Sequence, residues 1–94
     1  MKTIKPSDAI LMKFENPQCH PCKIVEAYLQ ELAKKYSFTV IKVNTYTDEG
    51  VKLAQKHNVM TTPTVIFIKD GVVMHQLVGL APKESYEALI NRLI

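Results

Sequence analysis

The stretch Cys19-His20-Pro21-Cys22 contains both cysteines of the 94-residue chain. A disulfide that closes a loop of two intervening residues restricts the unfolded chain very little, which disfavours a purely structural bridge. The spacing is typical of chemistry that switches between dithiol and disulfide. The same pattern also fits half of a metal site or a coincidence, so the sequence around it must decide.

The residues after the motif predict a helix over about residues 21–36. Apolar side chains recur there at intervals of three and four, which places them on one helix face. Pro21 suits the first helical turn, where its missing N–H costs no hydrogen bond. The residues of this face are Ile24, Val25, Tyr28, Leu29, Leu32 and Tyr36.

Four short apolar runs around this helix predict strands, at residues 9–14, 38–43, 64–68 and 72–78. Asp70-Gly71 between the last two is a strong hairpin signal. Thr47 is a candidate N-cap for a shorter second helix, and a third amphipathic helix closes the chain. A β-α-β unit followed by a hairpin predicts an α/β fold with a mixed four-stranded sheet and helices on both faces. Residues 2–5 are a candidate fifth strand.

Composition places the chain among globular proteins, with 47% hydrophobic and 22% charged residues. This length predicts a single domain, residues 1–94, that buries about two-thirds of its surface. The net charge of +3 comes from scattered lysines and one arginine, Arg92, which disfavours a nucleic-acid partner. With no long apolar run and no secretory pattern at the start, we expect a cytoplasmic protein without a membrane partner.

Residues 17–23, between a strand and the long helix, resemble the corresponding segment of the thioredoxin family. Thr61-Thr62-Pro63-Thr64 before the hairpin and Val78-Gly79 after it resemble that family as well. The resemblance covers about residues 9–94. It implies a thioredoxin-like fold with a shortened N-terminal region, in a small thioredoxin- or glutaredoxin-like protein that reduces or exchanges protein disulfides.

The position of Cys19 at the start of a helix favours its ionisation. Disulfide exchange proceeds through a thiolate, and unpaired N–H groups with the positive end of the helix dipole stabilise an anion there. Cys22 lies one turn further along the same helix, close to Cys19 and turned inward. We therefore predict that Cys19 is the exposed nucleophile and that Cys22 is the shielded resolving thiol.

His20 and Pro21 are predicted to tune the redox potential. An imidazolium beside the thiolate stabilises the reduced form and makes the couple more oxidising. The family's oxidising members place His second between the cysteines, whereas this chain has His first and keeps the thioredoxin-like Pro second. Thioredoxins commonly have Gly-Pro between the cysteines. We expect a potential of about −200 to −260 mV, on the scale that places thioredoxin near −270 mV. The alternative is that His20 is a solvated loop residue.

The resemblance implies that the Thr62–Pro63 peptide bond is cis and faces the cysteine pair. Backbone groups of Thr62 would then pair with an extended substrate; the alternative is a trans proline that begins a strand. Gly79 either lets the substrate approach closely or is an ordinary turn glycine. Met60 is either a flexible apolar contact for substrates or a packing residue.

Lys13 stands at the strand position where many thioredoxins carry a buried acid that moves protons to the resolving cysteine. Glu15 lies two residues on and so on the same strand face. One hypothesis assigns proton handling to Glu15, alone or paired with Lys13. The alternative is a partly exposed ion pair that tunes the local potential. Gln18 is a second departure, since thioredoxins usually have a tryptophan before the first cysteine.

The predicted partners are proteins with disulfides and an electron donor, which is a thioredoxin-reductase-type enzyme or glutathione. We expect a monomer with no bound cofactor and no metal. Two alternatives stay open. One is a non-catalytic docking module with the same fold, and the other is a metal or iron–sulfur site that joins the CxxC motifs of two chains, since a closed zinc site needs four ligands.

Overall fold

The computed structural model describes residues 8–94, in which four strands and three helices form an α/β fold. The candidate strand at residues 2–5 lies outside the described residues. The elements follow the predicted order and are β1 (Ile10–Glu15), α1 (His20–Leu32), β2 (Thr39–Asn44), α2 (Asp48–Lys56), β3 (Thr64–Lys69), β4 (Val72–Val78) and α3 (Lys83–Leu93).

The sheet is mixed, as predicted, with the strand order β2-β1-β3-β4. β1 pairs with β2 in parallel through the α1 crossover, and with β3 in the antiparallel direction. β3 and β4 form the predicted hairpin, with an irregularity in register between Phe67 and Ile68. Asp70 and Gly71 both have positive φ values, 53° and 74°, which the two-residue turn of a tight hairpin requires.

Helices cover both faces of the sheet. The larger core joins Leu11, Val65 and Phe67 of the sheet to buried residues of α1 and α3. A smaller cluster of Phe14, Val43 and Ile66 packs on the other face against α2. Strand alternation therefore assigns Leu11, and with it the residues at positions 13 and 15, to the face that α1 covers.

α1 ends at Leu32, four residues before the predicted boundary at residue 36. The backbone N–H groups of Lys34 and Lys35 donate to carbonyls three residues earlier, so the helix tightens into turns. Tyr36 still packs against the core, which explains why its apolar spacing resembled another helical turn. Among the described helices, none is long and apolar enough to cross a membrane.

α2 begins at the predicted cap, since Thr47 Oγ1 accepts a hydrogen bond from Gly50 N at 3.0 Å. Gly50 is buried against the end of β2. A Cβ at this position would lie 1.8 Å from the carbonyl oxygen of Asn44. Only glycine therefore allows α2 to pack this closely beside the last residue of β2.

Candidate active site

Cys19 is the N-cap of α1, at the end of a short loop that follows β1. Its backbone is extended, and its sulfur accepts a hydrogen bond from the backbone N–H of Cys22 at 3.2 Å. The two cysteines form a disulfide with an S–S distance of 2.09 Å. The sequence thus places one sulfur at the N–H end of the helix and its partner one turn inward. Pro21 occupies the first turn, as predicted.

The two sulfurs differ less in exposure than expected. Cys19 exposes 8% of its surface and Cys22 3%. Cys19 is the more accessible of the two, but in the disulfide form it is largely covered, because it caps the helix and is bonded to its inner partner. His20 beside it is exposed.

Asn16 connects the cysteine loop to the loop before β3. Its Oδ1 accepts a hydrogen bond from Gln18 N at 2.9 Å, and its carbonyl accepts one from Cys19 N at 3.2 Å. Its Nδ2 donates to Thr62 Oγ1 at 3.1 Å, across 46 residues of sequence. Asn16 therefore sets where the cysteine pair lies relative to Thr62. Sequence reasoning missed this residue, although Asn before a loop proline is a turn signal.

The loop before β3 has the isomer that the resemblance implied, since the Thr62–Pro63 peptide bond is cis. The carbonyl of Pro63 accepts a hydrogen bond from Gly79 N at 2.7 Å, which places Gly79 beside this loop. Gly79 has a φ of 78°, a value that favours glycine, and an added Cβ would meet open space. Met60 is 93% exposed, so the packing alternative for this residue was wrong.

Lys13 and Glu15 form an ion pair at the other side of the cysteines. Lys13 Nζ lies 2.5 Å from Glu15 Oε1, and the two side chains are 1% and 26% exposed. The predicted pairing on one strand face is therefore present, but the lysine is buried rather than partly exposed. A buried lysine is rare unless it is paired, which accounts for the carboxylate at position 15.

A cavity of about 180 Å³ brings this ion pair together with both cysteines. Glu26, one turn after Cys22 on α1, also lines it. Lys42 of β2 hydrogen-bonds to Glu26, which lowers the pKa of that carboxyl, and the charge of Lys13 contributes in the same direction. Sequence reasoning missed Glu26, although a spacing of four from Cys22 indicates a shared helix face. Across residues 8–94 no three His, Cys, Asp or Glu side chains are grouped as a metal site.

An aromatic side chain lies beside the cysteine loop despite the absence of tryptophan from the chain. Tyr46, in the loop between β2 and α2, is exposed and donates a hydrogen bond from its hydroxyl to Gln18 Oε1 at 3.0 Å. Its backbone N–H is held by Asn44 Oδ1 at 2.9 Å. The residue before Cys19 is therefore fixed to a neighbouring loop.

A mixed sheet with helices on both faces and a disulfide-forming CxxC pair at a helix N-terminus define a thioredoxin-like redox domain. The comparison with family models agrees, because the model described as Thioredoxin matches residues 1–92. The chain belongs to the thioredoxin family, whose members are thiol–disulfide oxidoreductases that act on protein disulfides and are reduced by reductase-type partners.

Similar proteins come from distant organisms. The thioredoxin of Bacillus subtilis (strain 168) is 36% identical over 83 residues, covering 88% of this chain and 80% of that protein. The M-type chloroplastic thioredoxin of Spinacia oleracea is 32% identical, and the match covers 90% of this chain but 47% of that protein. Among solved structures, a mutant thioredoxin from Halobacterium salinarum NRC-1 has a TM-score of 0.83 at 29% identity, covering 93% of this chain and 75% of the other.

Proposed function

We propose that the protein reduces or exchanges disulfides of protein substrates by cycling Cys19 and Cys22 between dithiol and disulfide. One observation carries the proposal: the two sulfurs are bonded to each other at the N-terminus of α1. The hydrogen bond from Cys22 N to Cys19 Sγ is a contact that stabilises a thiolate when the pair is reduced.

In the proposed cycle, the Cys19 thiolate attacks one sulfur of a substrate disulfide. A bond forms between Cys19 and that sulfur, and the other substrate sulfur leaves as a thiolate. The Cys22 thiolate then attacks Cys19, the mixed disulfide breaks, and the second substrate thiol is released. The substrate gains two electrons and the cysteine pair loses two, so no bound cofactor takes part.

We assign substrate contact to the loop before β3 and its surroundings. Thr62 is tied to the cysteine loop by its hydrogen bond with Asn16, so the backbone beside it lies within reach of a peptide joined to Cys19. Gly79 N donates a hydrogen bond to the carbonyl of Pro63 in the same loop region. Met60 offers an exposed, flexible apolar side chain.

His20 and Pro21 are the proposed tuning residues of the couple, and the paired Lys13 and Glu15 are the candidates for proton handling. Exposed His20 adjoins Cys19, and the ion pair lines the cavity that both sulfurs share. A measured potential of about −200 to −260 mV supports the role of His20, and a value below about −270 mV contradicts it.

The proposal includes a cytoplasmic monomer that is recharged by a thioredoxin-reductase-type enzyme or by glutathione. An insulin-type reduction assay with each donor, and size-exclusion chromatography with light scattering, test these points separately. If neither donor supports turnover, the proposed electron supply is contradicted.

The main test is trapping of the mixed disulfide. Cys22→Ser retains the attacking thiol and lacks the resolving one, so it should accumulate a covalent adduct with a reporter protein disulfide that a reducing agent reverses. Cys19→Ser, the matched control, should form little adduct. Stronger trapping by Cys19→Ser than by Cys22→Ser would reverse the assigned roles, equal trapping would contradict any division of roles, and no trapping by either would overturn the proposed function.

A further inference from the structure

We propose that Lys13 is a positioning residue for the resolving step, in which its ammonium group stabilises the thiolate form of Cys22. This inference rests on the proposed function, because it concerns the step in which Cys22 acts. It differs from proton handling, since Lys13 keeps its proton throughout and acts by its charge.

The packing of α1 on the sheet brings the two residues together. Leu11 and Val25 pack in one buried cluster, which sets α1 over the face of β1 that also carries Lys13. Cys22 lies three residues before Val25 and so on the same inward side of the helix. Lys13 and Cys22 accordingly line one cavity.

Because Cys22 is buried, its thiolate form needs a nearby positive charge to stabilise it. The residue is 3% exposed, and burial away from water disfavours a thiolate and raises the pKa of a thiol. An opposite charge a few ångströms away favours the thiolate. Lys13 is 1% exposed, so its charge is screened less by water than that of a surface lysine.

Four charged side chains line the cavity beside Cys22, and a fifth is paired with one of them. Lys13, Lys23, Glu15 and Glu26 line the cavity, and Lys42 forms an ion pair with Glu26. Each carboxylate is paired with a lysine and is partly exposed, so solvent and partner both weaken its repulsion. Lys13 is by contrast almost fully buried, so of these charges its own is the one least screened by water. Cys19 is the other titratable group at the cavity, and it is neutral while it is bonded to substrate.

The proposed step conserves atoms and charge. The Cys22 thiol first loses its proton to Glu15, which passes it to solvent, and the resulting thiolate lies near the Lys13 ammonium. It then attacks the Cys19 sulfur, the Cys19–Cys22 bond forms, and the substrate sulfur departs with the electron pair of the broken bond. Lys13 and Glu15 end the step as they began it, as an ion pair.

The first test is titration of Cys22 by its ultraviolet thiolate absorbance in a Cys19→Ser background. Adding Lys13→Met should raise the pKa of Cys22 by about 1, a tenfold loss of thiolate below that pKa. Glu15→Gln should change the pKa in the opposite direction, because it removes a negative charge. Lys23→Met, at an exposed lysine of the same cavity, should change it little.

The second test follows the full dithiol protein with a chromogenic small-molecule disulfide in single-turnover mode, where the second thiol release reports the attack by Cys22. Lys13→Met should slow this phase about tenfold at neutral pH and recover wild-type rates at high pH. Lys13→Arg should retain the wild-type profile because it retains the charge.

Several outcomes overturn the inference. An unchanged pH profile in Lys13→Met, or a slowing that is equal at every pH, would show that the charge does not act on Cys22. If Lys13→Met does not fold, the Glu15→Gln titration decides, and an unchanged or raised pKa of Cys22 there would show that the charges of this ion pair do not act on Cys22 as proposed. Mixed-disulfide trapping by Cys22→Ser in the same assays shows that the proposed function holds even where this inference fails.

Discussion

The hydrogen bond between Asn16 and Thr62 should link the stability of the cysteine loop to that of the loop before β3. Asn16→Ala removes two side-chain hydrogen bonds, of which the one from Gln18 N is exposed and the one to Thr62 Oγ1 is partly buried. The loss of these bonds should lower the free energy of unfolding by about 0.5 kcal/mol for the exposed bond and about 1 kcal/mol for the partly buried one, or about 1.5 kcal/mol in total. Thr62→Val retains the shape of the side chain and should cost about 1 kcal/mol.

The double variant identifies the shared bond. If the Asn16–Thr62 bond forms, the Asn16→Ala/Thr62→Val protein should be destabilised by about 1.5 kcal/mol, the same as Asn16→Ala alone. The coupling between the sites is then about 1 kcal/mol. Urea unfolding of the oxidised proteins measures each value, and Asn16→Ala should also melt about 6 to 12 °C lower.

Additive losses would refute this reasoning. A double variant destabilised by about 2.5 kcal/mol would mean that Asn16 and Thr62 act independently and that the two loops are positioned by other contacts. The slope of the urea dependence must stay constant across the four proteins, since a changed slope reports a changed denatured state instead.

Two further predictions concern packing and pH. Gly50→Ala should destabilise the fold by about 3 kcal/mol in urea unfolding, because its Cβ would overlap the carbonyl oxygen of Asn44. Gly71→Ala should cost only about 1 kcal/mol, because its added Cβ meets open space and the only strain comes from the positive φ. Equal losses of stability in Gly50→Ala and Gly71→Ala would contradict this account. The hydrogen bond from Lys35 lowers the pKa of Glu87 below its ordinary value of 4.5, so ionised Glu87 stabilises the fold above that pH. This stabilisation should be lost as the pH falls through the lower pKa that Glu87 has in the folded protein. Glu87→Gln should therefore show a weaker dependence of the melting temperature on pH over that range.

Local chemistry made most of the fold predictable. The order of helices and strands along the chain, the hairpin at residues 70–71 and the cap at Thr47 each depend on residues that are close in sequence, and all three are confirmed. The end of α1 was not predictable in this way, because Tyr36 retains the apolar spacing of a helix while the backbone has changed to tighter turns. The spacing of apolar side chains indicates which residues are buried, but it does not show whether the backbone keeps helical hydrogen bonds.

The same distinction applies to the site. Cys19 and Cys22 were recognisable because their relation is set within one helical turn. Asn16 and Glu26 were missed because their roles depend on contacts with Thr62 and Lys42, which are distant in sequence. Such contacts follow from the way α1 and the loops pack on the sheet, and that arrangement is not encoded in any short window.

The two departures from the family pattern are both matched by groups on neighbouring elements. Gln18 replaces the usual tryptophan, and the hydroxyl of Tyr46 from another loop is bonded to it. Lys13 replaces the usual buried acid, and carboxylates stand nearby at positions 15 and 26.

Restoring a family-like acid at Lys13 alone should therefore harm the site. Lys13→Asp would change the charged groups that line the cavity of Cys22 from two lysines and two carboxylates to one lysine and three carboxylates, an excess of negative charge. The Cys22 thiolate would then be formed less readily than in Lys13→Met. The titration of Cys22 measures this order, and a lower pKa in the aspartate variant would show that a base matters more than the balance of charge.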